Sequence, residues 1–238
     1  MSQLNVTSLK HESASGDNIT LSSNGKVGIG TSLPPQKFVV SNAGADNIVM
    51  CENSSASIQM FMQATNSIGT VGTLTNQAVG FLTNNTERMR IDSAGRVTTP
   101  YQPAFNAYIS SGTNISNSWV EIVYNNICYN NGSHYNTSNG RFTAPVSGYY
   151  FFSYALTFTS ADGDGTIGVF INGYYDGTSS VSQLSQPSSG SPYHGRSGSG
   201  LMYLNAGDYA SVWNYNTDTR TTRSSNPRGG FIAGYLVG

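Results

Sequence analysis

Large apolar residues alternate without a break along GYYFFSYALTF, residues 148 to 158. Tyr150, Phe152, Tyr154, Leu156 and Phe158 fall on one face of the strand that this period of two predicts; Tyr149, Phe151, Ser153, Ala155 and Thr157 fall on the other. The first face is apolar throughout and belongs in a core. The second begins aromatic and turns small and polar, so the strand has two surfaces to bury and predicts a partner. Pro145 and Gly148 supply the turn that starts it.

The first hundred residues are patterned differently. Residues 1 to 18 are polar and predict an arm. ITLSSNGKV, residues 19 to 27, reads as a hairpin around Asn24-Gly25, and MRIDSAGRV, residues 89 to 97, repeats it. The repeat aligns Leu21 with Ile91, Gly25 with Gly95 and Val27 with Val97. Between the copies lie short apolar runs: Phe38 to Val40, Ile48 to Met50, Ile58 to Met62 and Val79 to Leu82. Small isolated hairpins are marginal in water. These runs therefore predict an intertwined stalk in which several chains cover one another's strands, with Met50, Met60 and Met62 filling gaps near the axis. Gly28 to Gly30 lacks the third glycine, the helix and the downstream acid of a nucleotide-binding loop.

Pro100, Pro103 and a shift to Tyr- and Phe-rich sequence mark a boundary. The organisation expected is an arm over 1–18, a β-rich stalk over 19–103 and a head over 104–238. In the head, about eight strands separated by Gly, Asn and Ser turns predict a β-sandwich or jelly roll.

Composition agrees. Charged residues are 10% of the chain, against about 25% in an average domain. Fifteen tyrosines and ten phenylalanines argue against disorder. A net charge of -1 offers no footprint for nucleic acid. No stretch approaches the ~20 apolar residues of a membrane span, and the N-terminal sequence does not read as a signal peptide. Cys51 and Cys128 lie in different predicted domains, and two free buried thiols are expected.

A spaced set of residues in the head carries a resemblance. Tyr124, five residues, Asn130, four, Tyr135, six, Phe142, five, Gly148, then Tyr150, Phe152 and Tyr154 resembles the signature of the complement C1q and tumour-necrosis-factor-like superfamily. Tyr124 stands where that family prefers Phe. Gly207-Asp208 and the closing stretch Phe231 to Val237 also resemble its last strands. In the first hundred residues, NGKVGIGTSLPPQKFVV and NNTERMRIDSAGRV resemble stretches of bacteriophage tail fibres. Together these imply a virion fibre or spike subunit, made in the host cytoplasm: an all-β homotrimer with a jelly-roll head that binds the host cell surface, glycan or protein. The polar arm would join it to other virion proteins. The family's threefold packing makes Tyr149, Phe151, Phe231, Ala233 and Tyr235 the candidates for the trimer interface. The alternatives are a decoration or trimerisation module without a receptor role, and a bacterial or eukaryotic C1q-like adhesin or lectin.

Chemistry is sparse. The histidines, His11, His134 and His194, have no second ligand near in sequence. Asp162 and Asp164 present carboxylates one residue apart, of the kind calcium takes, but no EF-hand spacing follows and a plain Asp-Gly turn accounts for them. No cofactor is expected, with calcium there as the alternative. No Gly-x-Ser-x-Gly elbow is present in a strand–turn–helix context, and no pair of acids stands out for glycoside hydrolysis, so the chain reads as non-enzymatic. Two loops suit recognition: 177–200, with Tyr193, His194 and Arg196, and 216–229, with Arg220, Arg223 and Arg228. Loops on a rigid sandwich carry binding residues, and Arg pairs well with phosphate and carboxylate.

Overall fold

The computed structural model describes residues 8–9, 19–21, 23, 26–29, 38–40, 47–53, 55–65, 67–159, 165–173, 180–181, 194–223 and 229–238. Every regular element among them is a strand. The chain divides into two compact units, Met1–Thr99 and Pro100–Gly238.

The N-terminal unit contains three small sheets. The first joins β1 (Ser8–Leu9), β2 (Ile19–Leu21), β3 (Val27–Ile29) and β4 (Phe38–Val40) in sequence order. The second is a meander of β5 (Asn47–Asn53), β6 (Ile58–Ala64) and β7 (Gly69–Thr73). The third joins β8 (Val79–Thr83), β9 (Thr86–Ile91) and β10 (Val97–Thr98), with β9 in the middle. The strands of the two sequence repeats pair alike, while the predicted turn at Asn24-Gly25 lies outside the described residues. Leu21 pairs with Val27, and Ile91 pairs with Val97 at the aligned positions. In the second copy Gly95 takes φ +81°, which the tight turn requires. The Asp92 carboxylate accepts from the backbone N–H of Arg96 and Ala94, both at 2.9 Å, and from the Arg96 guanidinium at 2.7 Å. Those bonds hold its carboxyl below the usual carboxylate range.

Among the described residues none of these sheets buries a large apolar side chain. Met60, Met62 and Ile58 share one face of β6 and are exposed, as are Val49, Val71 and Cys51 paired across from them. Met50 lies on the opposite face, beside Phe61, and is exposed as well.

The head, by contrast, is a two-layer sandwich. One sheet has the order β14 (Asn126–Asn131), β11 (Ala104–Tyr108), β23 (Gly230–Leu236), β17 (Gly148–Phe158) and β20 (His194–Leu204). The other has the order β15 (Tyr135–Asn136), β16 (Arg141–Thr143), β21 (Tyr209–Asn216), β18 (Gly165–Ile171) and β19 (Ser180–Val181). β13 (Val120–Glu121) also pairs with β21, and β12 (Asn114–Ile115) pairs with β22 (Arg220–Thr221). The jelly-roll expectation is met. Non-sequential neighbours such as β11 beside β23 set the two chain ends of the head side by side.

The core lies between the sheets. Tyr150, Phe152, Tyr154, Leu156 and Phe158 are fully buried, as the alternation predicts. Phe105 stacks on Tyr135 at 4.8 Å and on Phe142 at 4.9 Å, between centroids. The spaced signature residues are structural. The Asn130 side chain accepts from the backbone N–H of Tyr135 and donates to its carbonyl at 2.8 Å. The Tyr135 hydroxyl donates to the Tyr124 carbonyl, and the Tyr124 hydroxyl donates to Ala155. Their spacing in the chain is what brings each ring to its hydrogen-bond acceptor in the core.

Candidate functional site

The outer face of the β17 sheet carries the five residues singled out for a threefold contact. Direct cross-strand partners point to the same side of a sheet. Tyr149 pairs with Tyr203; Phe151 pairs with Leu201 on one side and Tyr235 on the other. Ser153 faces Ala233 and Ala155 faces Phe231, and β11 continues the row with Asn106 beside Ala233 and Tyr108 beside Phe231. The result is a face rich in aromatic and apolar side chains, crossed by one row of Ser199, Ser153 and Asn106 on either side of Ala233. Its large side chains are open to solvent in the single chain: Tyr149 52%, Leu201 52%, Tyr203 50%, Tyr235 49% and Phe231 36%. Phe151 and Ala233 are half-buried. The rings already pack in pairs, Tyr149 edge-on to Tyr203 at 5.3 Å and Phe151 against Tyr235 at 5.6 Å. Leu201, Tyr203, Tyr108 and Tyr129 were not among the candidates. The alternation of Leu201 and Tyr203 in LMYL is visible in the sequence, but only the register with β17 assigns them to this face.

The recognition loops look different in the structure. Residues 194–200 are not loop. They extend β20 to the full length of β17, from the Phe158–His194 pair to the Gly148–Leu204 pair. Arg196 therefore sits on a strand facing Leu156, inside the sandwich and 5% exposed. Its guanidinium donates to the side-chain oxygens of Asn214, at 2.9 Å, and Asn216, and lies over the Phe158 ring at 4.9 Å. A Cβ on Gly165 would come within 2.5 Å of both terminal nitrogens of Arg196, so glycine makes room for the guanidinium. Arg220 is also buried, 2% exposed, with its Nε donating to Asp218 at 2.8 Å. Both arginines leave the set of surface candidates: Asn214 and Asn216 hold Arg196 between the sheets, and Arg220 on β22 is buried although its partner Asp218 is exposed. Arg223 is half-buried, and its backbone N–H donates to the Thr157 carbonyl. His194 is placed on β20. Tyr193, Arg228, Asp162 and Asp164 lie outside the described residues.

Among the described residues no group of three or more His, Cys, Asp or Glu side chains could hold a metal ion. Cys51 and Cys128 are free, and both are exposed rather than buried. Each sits on a strand of an open sheet face or edge, which a count of cysteines cannot tell.

Comparison with known proteins gives the following. A family profile described as the C1q domain matches residues 104–237. No curated protein matches the chain. Among solved structures, the globular domain of zebrafish complement 1qA aligns at 15% identity over 58% of this chain and 98% of that one, with a TM-score of 0.45. Eiger TNF from S. frugiperda aligns at 15% identity over 57% of this chain and 91% of that one, at 0.43. Murine APRIL aligns at 14% identity over 57% and 99%, at 0.45.

Proposed function

The chain belongs to the C1q domain family, and we propose that it is a non-enzymatic, homotrimeric fibre subunit of a bacteriophage particle whose head binds the host cell surface. Domains of this family are typically binding modules. The observation that carries the trimer is the open apolar face of the β17 sheet. Tyr149, Phe151, Phe231, Ala233 and Tyr235, with Leu201 and Tyr203, line the contact around the threefold axis. An exposed patch of large apolar side chains of this kind marks an interaction site, and closed symmetric oligomers are the common solution.

The N-terminal unit fits the same reading. The open face of Met60, Met62, Val49 and Val71 asks for cover, and two further copies of this chain supply it in an intertwined stalk over 19–103. Residues 1–18 join other virion proteins. The fibre-like stretches NGKVGIGTSLPPQKFVV and NNTERMRIDSAGRV support the virion setting. Host contact falls to the head, with a surface glycan as the ligand class and Arg223, Tyr193 and Arg228, with His194 at the start of β20, as candidates.

Particles carrying the chain truncated after Thr99 test the function. Adsorption to host cells should be lost while the particles remain intact. Unchanged adsorption would contradict a receptor role and leave the head as a decoration or trimer clamp.

A further inference from the structure

The chain has two tryptophans, and both stand on the outer face of the six-stranded sheet, the side of the sandwich away from the core. Trp213 faces outward from β21, with Glu121 beside it on one side and Gly168 on the other. Tyr215 follows two residues on, opposite Thr166. Trp119 packs against Phe170 at 5.5 Å and against Tyr215 at 5.8 Å, between ring centroids. Trp119, Phe170, Trp213 and Tyr215 are all part-exposed.

A two-layer sandwich does not need aromatic rings on its outer side to close its core. The rings are fixed in place, however. The Trp213 indole N–H donates to the Ser211 hydroxyl at 2.9 Å. Gly168 has no side chain, and the Phe170 ring lies over it; a Cβ there would be 3.1 Å from that ring. The Trp119 and Phe170 rings meet edge to face, their planes at 79°. Glu121 and Arg141 border it. They form a bidentate pair, both bonds at 2.9 Å, and Arg141 also covers the Tyr209 ring at 4.2 Å. The two bordering charges cancel. What remains among the described residues is a fixed aromatic cluster bordered by the Glu121–Arg141 pair, which carries no net charge.

We propose that this face is a binding site for neutral carbohydrate, with the C–H face of a pyranose ring against Trp119, Phe170, Trp213 and Tyr215 and its hydroxyls toward Glu121 and Arg141. The match is chemical. A pyranose ring offers apolar C–H groups on its faces and hydroxyls around its edge, and aromatic walls with a few placed polar groups are what such ligands meet in protein sites. An uncharged rim selects a neutral sugar over an anionic one. The site is separate from the open face of the other sheet, so a trimer closed through that face leaves it available. It rests on the reading of the head as the host-binding part, and it moves the glycan from the loops to the sheet.

Isothermal titration of the full-length protein with chitotetraose, cellotetraose and maltotetraose tests it. At least one should bind saturably, and Trp119→Ala and Trp213→Ala should each weaken that binding tenfold or more while Arg96→Ala, in the N-terminal unit, leaves it unchanged. Should Trp119→Ala lose its cooperative thermal transition, Tyr215→Ser carries the same test. Binding lost in Arg223→Ala but kept in the tryptophan variants would put the sugar on the loops and overturn the proposal. Absence of binding to all three would overturn it too, as expected for a face that docks protein instead. Neither result touches the host-binding role of the head, which adsorption of the truncated particles decides independently.

Discussion

Tyr124, Asn130, Tyr135 and Phe142 were readable in the sequence as a spaced set because each has one fixed job: a ring in the core, or an amide that ties a ring to the backbone. Gly234 belongs with them. A Cβ there would come 2.7 Å from Phe152 and 2.9 Å from Phe105, so Gly234→Ala should destabilise the head by about 1–3 kcal/mol in thermal unfolding. Phe152→Ala, which empties the same place, should cost about 3–5 kcal/mol. The tyrosines also give a pH dependence. Burial raises the hydroxyl pKa of Tyr124, Tyr135 and Tyr150 above the ordinary value of 10.0. A group whose pKa is raised on folding contributes its stability below its unfolded pKa and loses it as pH rises further. Unfolding midpoints in denaturant should therefore hold steady up to pH about 10 and fall above it. Arg196 and Arg220 were misread for a physical reason. Arginine in a Ser- and Gly-rich stretch resembles a surface loop until the cross-strand partner is known. Arg196→Ala should act as a core change, lowering stability by about 1.5–3 kcal/mol through lost charge-assisted hydrogen bonds to Asn214 and Asn216.

At the scale of elements, β17 announces itself because its alternation is unbroken, and β20 does not. HGRSGSG has neither β-branched nor aromatic residues, and its strand conformation comes from eleven residues of pairing with β17. Local sequence cannot carry information that resides in a partner strand. The hairpins of the N-terminal unit were legible, since turn residues at fixed offsets specify them. Which of their faces is covered was not, because a single chain leaves one face of β6 exposed and the other only part-covered. If further copies supply that cover, Met60→Lys with Met62→Lys should make the N-terminal unit sensitive to protease. The head should keep its own thermal transition, and scanning calorimetry with limited proteolysis separates the two.

At the scale of the whole molecule, the head closes a core between its two sheets and leaves large apolar side chains open on the outer face of the β17 sheet, and the described strands of the N-terminal unit bury no large apolar side chain. In the proposed reading assembly of identical chains meets both deficits, and the sequence hints at it in the aromatic start of the second face of β17 and in the short apolar runs of the first hundred residues. The account stands or falls on that assembly. Light scattering coupled to size-exclusion of the full-length protein measures it directly. The mass expected is three times the 25.3 kDa of one chain, maintained on dilution, and Tyr149→Glu with Leu201→Glu should abolish it. A well-folded 25.3 kDa monomer would contradict the account.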